Sequence, residues 1–157
     1  MELGNSSNKG GDCMRSKILV AYDGSELSKK AVQEGKEMLL TKEGSELHIV
    51  SVVSSAGPTT NIYVTENITN ELANELRSEL EELKEEIKED HLDIHTKVLI
   101  DYGQRNPGHA ICKFAEEQEA DLIIIGSRGL GGVKRLFLGS VSNTVVQHAK
   151  SRVLIIK

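Results

Sequence analysis

Tryptophan is absent from this 157-residue chain, aromatic residues make up 3% of it, and cysteine and proline occur twice each. Two cysteines, Cys13 and Cys112, cannot build the disulfide framework of a small secreted domain, and no CxxC motif joins them. The chain also lacks an apolar run of about 18 residues and an apolar segment near its amino terminus. We therefore expect a cytoplasmic protein with no membrane partner.

Basic residues are not in excess, because the net charge is −5. General nucleic-acid binders are usually basic, so we expect no nucleic-acid partner. Acidic residues are missing altogether from residues 122–157, where six basic residues lie. A segment without carboxylates repels an anionic ligand least. The opposite imbalance, ten acids against three bases in residues 66–90, is typical of a solvated helix face.

The length fits one domain, in which apolar strand-like segments alternate with amphipathic helices. Residues 1–16 are rich in Gly, Ser and Asn, which predicts a disordered tail, and residues 17–157 are predicted to form the single domain. The predicted helices begin at Ser25, near residue 66, at Asn106-Pro107 and at Ser140. Residues 54–65 are predicted to be irregular. The second helix is predicted to be amphipathic, with an inward face formed by Ile68, Leu72, Leu76, Leu80, Leu83 and Ile87. The predicted strands lie at 17–22, 47–53, 96–100, 121–125 and 153–156.

The predicted strands are continuously apolar, which indicates burial on both faces of a parallel sheet. Right-handed crossovers then give a doubly wound α/β fold with helices on both faces. We expect its five parallel strands in the order 3-2-1-4-5, the common order of dinucleotide-binding sheets. The winding reverses between strands 1 and 4, and ligands bind at such a switch point. We therefore expect residues 23–25 and residues 126–139 to be neighbours.

Residues 126–139 contain five glycines. Glycine permits positive φ and lets the backbone approach a ligand closely. The loop leads into a helix whose first N–H groups and dipole suit a phosphate, and the hydroxyls of Ser140 and Ser142 would add donors. Two better-known phosphate motifs fail. GxxxxGK[ST] needs Lys and Ser or Thr after its last Gly, and GxGxxG needs Gly where Lys134 stands.

The spacing Gly126-x2-Gly129-x9-Gly139-Ser140 resembles the nucleotide loop of the ATP-binding branch of the universal stress protein family. The segments KILVAYDGSELSKKAV, NPGHAICKFAEEQEADL, ADLIIIGSRG and LGSVSNTVVQHAKSRVLIIK are similar to that family too, so the resemblance covers residues 15 to 157. The chain departs from the family pattern in a longer loop at 103–107 and in Ser151-Arg152, where Pro usually precedes the last strand.

The resemblance implies ATP as the ligand, with Mg²⁺ or Mn²⁺ held through the phosphates. It implies adenine recognition by the main chain in strand 2, a nucleoside contact after strand 1, and a triphosphate cradle at the last helix. It also implies a nucleotide-dependent switch in a stress response, with protein clients of unknown identity. The implied site residues are Ala21, Asp23, Val52, Gly126, Arg128, Gly129, Gly139, Ser140, Val141 and Ser142.

The last predicted strand is expected to join two copies of the chain. In the order 3-2-1-4-5 the last strand is an edge, and its apolar residues 153–156 contain no Pro. An open apolar edge is an aggregation hazard unless it is paired, and pairing across a two-fold axis serves both copies with one surface. The resemblance implies the same arrangement, so a homodimer joined through the last strand is predicted.

Other readings of these residues stay open. A slow ATPase or nucleotidyl-transfer enzyme is the alternative to a binding module, although no general base is legible, so at most weak hydrolysis is expected. A nucleotide-free scaffold is the third class. Asp23 before Gly24 is also typical of a plain turn, and Arg128 of a surface charge.

No metal site of protein ligands is predicted. His91 and His95 have i,i+4 spacing, but they straddle the end of a helix and the start of a strand, and no cysteine or second acid cluster completes a ligand set. His48 and Cys112 are interpreted as packing residues.

Overall fold

A computed structural model describes residues 16–54, 62–103, 106–130 and 138–157, and for residues 62–65 it describes the backbone alone. Several predictions fall outside the described residues: the tail up to residue 15, Cys13, the predicted loop at 55–61, and the loop segment 131–137 with Gly131, Gly132 and Lys134. The assignment of 17–157 to a single domain stays a prediction.

Strands and helices alternate along the described residues. The elements are β1 (Lys17–Ala21), α1 (Glu26–Thr41), β2 (Glu46–Ser54), α2 (Ile62–Ile87), β3 (Asp93–Asp101), α3 (Pro107–Glu117), β4 (Leu122–Gly126), α4 (Ser140–His148) and β5 (Arg152–Ile156). The five strands form one parallel sheet in the order β3-β2-β1-β4-β5. The predicted fold class is confirmed. None of the helices found in the described ranges is long and apolar enough to cross a bilayer.

The sheet is covered on both faces. Leu47, Ile49 and Ile124 point to one face, where they pack in one cluster with residues of α1 and α2 such as Val32 and Leu80. Alternate strand residues point to the other face, where α3 and α4 contribute Ile111, Cys112 and Val145. These clusters explain why the strands read as continuous apolar runs, and they confirm the packing interpretation of Cys112.

Helix α2 differs most from its prediction. It begins at Ile62, inside a segment predicted to be irregular up to Thr65. Ile68 and Leu72 were expected to face inward but are 60% and 44% exposed, while Ala73 is fully buried. Residues spaced by four advance about 40° around a helix per step, so Ile68 lies about 120° away from Leu80. The row of apolar residues that includes Ile68, Leu72 and Leu80 therefore turns away from the sheet towards the amino end of α2.

Local capping fixes where two helices start beside the carboxyl edge of the sheet. The Ser25 hydroxyl accepts a hydrogen bond from the Ser28 N–H at the start of α1. The Asn106 side chain accepts one from the Gly108 N–H at 2.9 Å, with Pro107 in the first helical position. Both caps were predicted and both are confirmed.

Candidate functional site

A cavity of about 510 Å³ opens at the carboxyl edge of the sheet, where β1 and β4 lie side by side. Cavities of this size, lined mainly by apolar groups with a few polar ones, hold small organic ligands. All ten predicted site residues line it: Ala21, Asp23, Val52, Gly126, Arg128, Gly129, Gly139, Ser140, Val141 and Ser142. The sequence interpretation missed the apolar walls contributed by Leu76, Pro107, Ile111, Ile125 and Leu130.

Asp23 joins the two loops at the switch point. Its Oδ1 accepts a hydrogen bond from the Ser25 N–H at 3.0 Å, and Gly24 between them has a φ of 79°. Asp23 therefore shapes this turn through its side chain. Its Oδ2 lies so close to Gly129 that a Cβ on that glycine would overlap it. The loops after β1 and β4 are therefore neighbours, as predicted, and Gly129 leaves space for the Asp23 carboxylate.

The other two loop glycines in the described part of the chain serve different purposes. A Cβ on Gly126 would come within 2.9 Å of the Leu27 Cβ, so Gly126 allows α1 to pack tightly on the end of β4. A Cβ on Gly139 would meet its nearest neighbours only at 3.5 Å, an ordinary contact, and its φ is −62°. Neither glycine uses the positive φ that glycine permits; among the described glycines, Gly24 and Gly44 have that conformation.

Helix α4 starts at the cavity wall. Gly139 is its N-cap, and it has no side chain to occupy the N–H groups of the first turn. The N–H groups of a first helical turn lack partners within the helix and carry partial positive charge. The exposed Ser140 hydroxyl lies beside them. The helix start thus offers backbone donors to an anion in the cavity.

The Ser142 hydroxyl has another role than the predicted one. It is 2% exposed and donates towards the carbonyl oxygens of Ser127 and Gly139, each at 3.0 Å. The Gly139 N–H donates to the same Ser127 carbonyl at 2.8 Å. Since this hydroxyl already donates to the backbone, it ties the end of β4 to the start of α4 rather than serving a ligand. Only the main chain of Ser142 remains a candidate contact.

The end of β2 forms the opposite wall. The Tyr22 N–H donates to the Val50 carbonyl oxygen at 2.8 Å, and the Ser51 hydroxyl donates to the Tyr22 carbonyl oxygen at 2.8 Å. Main-chain groups alternate direction along a strand. The main-chain N–H and C=O groups of Val52 therefore point towards β1, as those of Val50 do. Because β1 ends at Ala21, opposite Val50, the main-chain groups of Val52 face the cavity instead of another strand.

A tyrosine beside the cavity forms a hydrogen bond to helix α2. The Tyr22 hydroxyl donates to Glu79 Oε1 at 3.0 Å. Burial of the ring and the neighbouring Glu79 carboxylate raise the pKa of Tyr22 to about 12. The sequence interpretation placed Tyr22 in a strand and missed this contact, because a distance of 57 residues separates the two side chains along the chain.

A family model described as the universal stress protein family matches residues 14–157. The chain belongs to the universal stress protein family. Universal stress protein YxiE of Bacillus subtilis is 36% identical over 149 residues, which cover 92% of this chain and 100% of that protein. Universal stress protein MJ0531 of Methanocaldococcus jannaschii is 32% identical over 158 residues, 98% of this chain and 88% of that protein.

A solved universal stress protein shows the same fold. UspA from Lactobacillus plantarum superimposes with a TM-score of 0.79, covering 90% of this chain and 97% of its own, at 23% identity. At that identity the likeness concerns the fold alone. The family membership predicted from the sequence resemblance is confirmed. This likeness does not identify the ligand of the cavity.

Proposed function

We propose that this universal stress protein binds ATP in the cavity between β1 and β4. The observation that carries the proposal is the meeting of three features in one cavity: the main chain of Val52, the Asp23–Gly129 contact and the start of α4. Adenine would lie against the strip at Val52 and Ala21, the ribose near Asp23 and Gly126, and the phosphates at residues 139–142. Helix starts bind phosphate through N–H groups and dipole together.

Two neighbours with the same fold have been solved with adenine nucleotides. One universal stress protein is in complex with cAMP, at a TM-score of 0.56 and 22% identity, and one from Archaeoglobus fulgidus is in complex with dAMP, at 0.56 and 21%. They show that this fold accommodates such ligands in those proteins. The choice of a triphosphate here rests on the α4 start and on Arg128, which lines the same cavity.

A divalent cation would accompany the triphosphate. Among the described residues that line the cavity, Asp23 carries the one carboxylate, and its two oxygens already face the Ser25 N–H and Gly129. This donor set fits a Mg²⁺ or Mn²⁺ ion that is coordinated by phosphate oxygens and water. The protein would hold the ion only through the nucleotide.

We propose binding rather than turnover as the biochemical role, so that bound nucleotide acts as a switch for assembly or for protein clients in a stress response. Phosphoryl transfer to water needs a group that orients or deprotonates the attacking water. No acid or histidine among the described lining residues is left for that task once Asp23 is engaged. Multiple-turnover phosphate release by the purified protein, lost in Gly139→Val, would instead support the slow ATPase or nucleotidyl-transfer alternative.

The variant Gly139→Val tests the phosphate end of the site. The backbone there accepts any residue, so the fold should survive, but the added side chain would stand between the phosphates and the first turn of α4. We expect calorimetry to show ATP affinity reduced by at least about 100-fold, which is ~2.7 kcal/mol. Gly139→Ala, with a single methyl, is the matched control and should lose less. Unchanged ATP affinity in folded Gly139→Val would contradict the phosphate placement.

We propose that the predicted homodimer forms through β5. In the described residues β5 pairs with β4 alone, and the Arg152 N–H donates to the Asp121 carbonyl oxygen while the Ser127 N–H donates to the Ile156 carbonyl oxygen. Because direction alternates along a strand, the main-chain groups of Val153 and Ile155 point to the open edge. A second copy can add its β5 there.

This alternation supplies a matched pair of variants. Ile155→Pro removes a donor that faces the open edge, so the dimer should dissociate while the sheet within each copy stays intact. Leu154→Pro removes a donor that faces β4 and should destabilise the fold itself. Light scattering at micromolar concentration measures the first effect and thermal unfolding the second. A monomeric wild type, or a dimer that survives in Ile155→Pro, would refute the β5 interface.

A further inference from the structure

Two histidines lie side by side at the amino end of the sheet, the end away from the cavity. His48 in β2 and His95 in β3 are register partners, and their rings stack with centroids 4.9 Å apart. Phe114 of α3 approaches the His48 ring edge-on at 6.4 Å. Strand register, rather than the i,i+4 spacing of His91 and His95, thus brings two histidines together.

Glu46 adds a carboxylate to this pair. Its Oε2 lies 3.3 Å from His48 Nε2, and one ligand atom from each of Glu46, His48 and His95 can be chosen so that all lie within 4.8 Å of one another. In a tetrahedral zinc site with bonds of about 2.0–2.2 Å, ligand atoms are about 3.3–3.6 Å apart. The Glu46–His48 pair already has that spacing. Zinc binding would require rotation of the Glu46 and His95 side chains, which are more exposed than that of His48, to bring the remaining ligand atoms to that spacing.

Asp93 supports the His95 ring from outside the cluster. Its Oδ1 lies 2.9 Å from His95 Nε2. A histidine that ligates a metal usually gives its other ring N–H to a carboxylate, which fixes the ring and strengthens the ligand. With Nε2 engaged by Asp93, Nδ1 of His95 is the nitrogen left for an ion. Glu46, His48 and His95 can thus act as three ligands, and Asp93 as the carboxylate that supports His95.

We propose that Glu46, His48 and His95 form a zinc-binding site that joins β2 to the edge strand β3. Two imidazoles and one carboxylate suit Zn²⁺ or a similar late transition ion, whereas Mg²⁺ and Ca²⁺ prefer oxygen ligands alone. Water would take the fourth position. His48 and Val52 are separated by about 13 Å of strand, so this ion is independent of any ion carried by ATP.

Calorimetry with zinc chloride tests the site. The full-length chain, without a purification tag and with Cys13→Ser to remove a competing thiol, is stripped with a chelator and titrated. We expect one Zn²⁺ per chain, and a loss of at least about tenfold in affinity for His95→Gln, with a smaller loss for Asp93→Asn. The matched control is His148→Gln, which breaks the other described histidine pair, His109 and His148, at 4.7 Å. This control should bind zinc like the parent.

Thermal unfolding gives a second readout that does not depend on heat of binding. Zinc should raise the Tm of the parent protein but not that of His95→Gln, because binding to the folded state alone stabilises it. The side chain of His95 is 49% exposed, so the variant should match the parent Tm in chelator. ATP affinity should be equal in both proteins. Absence of saturable zinc binding, or equal zinc affinity in the parent and His95→Gln, would overturn the proposal.

Discussion

The two ends of the parallel sheet are built from different parts of the chain. At the carboxyl end the cavity is formed by main chain, by glycines and by the start of α4. At the amino end the polar cluster is formed by side chains of β2 and β3. The proposed nucleotide binding at the first end therefore depends on which residues leave room for a ligand. The proposed zinc binding at the second end depends on which residues supply ligand atoms.

The largest effect is expected at Gly126, because the absence of a side chain there lets α1 pack on the end of β4. Gly126→Val would drive a side chain into the Leu27 Cβ and the Arg128 carbonyl oxygen, at 2.9 Å and 3.1 Å from the first added atom. Overpacking of this kind costs about 3 kcal/mol. Urea unfolding of Gly126→Val and Gly139→Val compares them directly. Equal free energies of unfolding would show that the two glycines do not differ as described.

A charged side chain at the carboxyl end should matter less than the backbone there. Arg128→Ala is expected to weaken ATP by about 1–2 kcal/mol, the contribution of a charge-assisted hydrogen bond. AMP binding should change less, because the phosphates beyond the first are the groups concerned. Asp23→Ala is the comparison variant, and it should weaken ATP and AMP alike. Equal losses of ATP and AMP in Arg128→Ala, measured by calorimetry, would assign Arg128 to the nucleoside instead.

The smallest expected effect concerns the Tyr22–Glu79 contact. The pKa of Tyr22 lies at about 12 rather than at 10.0, with burial as the larger cause and Glu79 next. The folded state holds the Tyr22 proton more tightly than the unfolded state does. The contribution of this group to the free energy of unfolding is therefore complete below pH 10 and declines as pH rises towards 12. Glu79→Gln should lower the Tyr22 pKa part of the way. Ultraviolet titration of tyrosinate, with Tyr22→Phe to identify the transition, measures it, and an unchanged midpoint would exclude the Glu79 contribution.

The contrast also explains what could be predicted from the sequence. The doubly covered parallel sheet followed from apolar runs that alternate with helices, and its strand order from the order common in such sheets. The cavity followed from Gly126, Gly129 and Gly139, because a site made of backbone leaves its pattern in one continuous segment. The His48–His95 pair leaves no such pattern, since it depends on the register of β2 with β3. The same holds for the Tyr22–Glu79 hydrogen bond, which depends on the rotation of α2 about its axis.

The predicted role of the Ser142 hydroxyl as a ligand donor is the other difference between sequence and structure. Ser142 lies in the first turn of a helix, three residues after Gly139, where a serine is typical of a phosphate site. Its burial against the Ser127 carbonyl became evident only once the end of β4 and the start of α4 were in place. Short polar side chains often bond to nearby backbone, and the choice between backbone and ligand is made by tertiary structure.

The central claim is that the cavity binds ATP, and the nucleotide content of the purified protein tests it most directly. The protein is denatured, the released small molecules are identified by mass spectrometry, and the apo protein is then titrated with ATP and Mg²⁺. We predict adenine nucleotide in the released fraction and saturation at one ATP per chain. Absence of released nucleotide, together with no saturable ATP binding by folded protein, would contradict the claim.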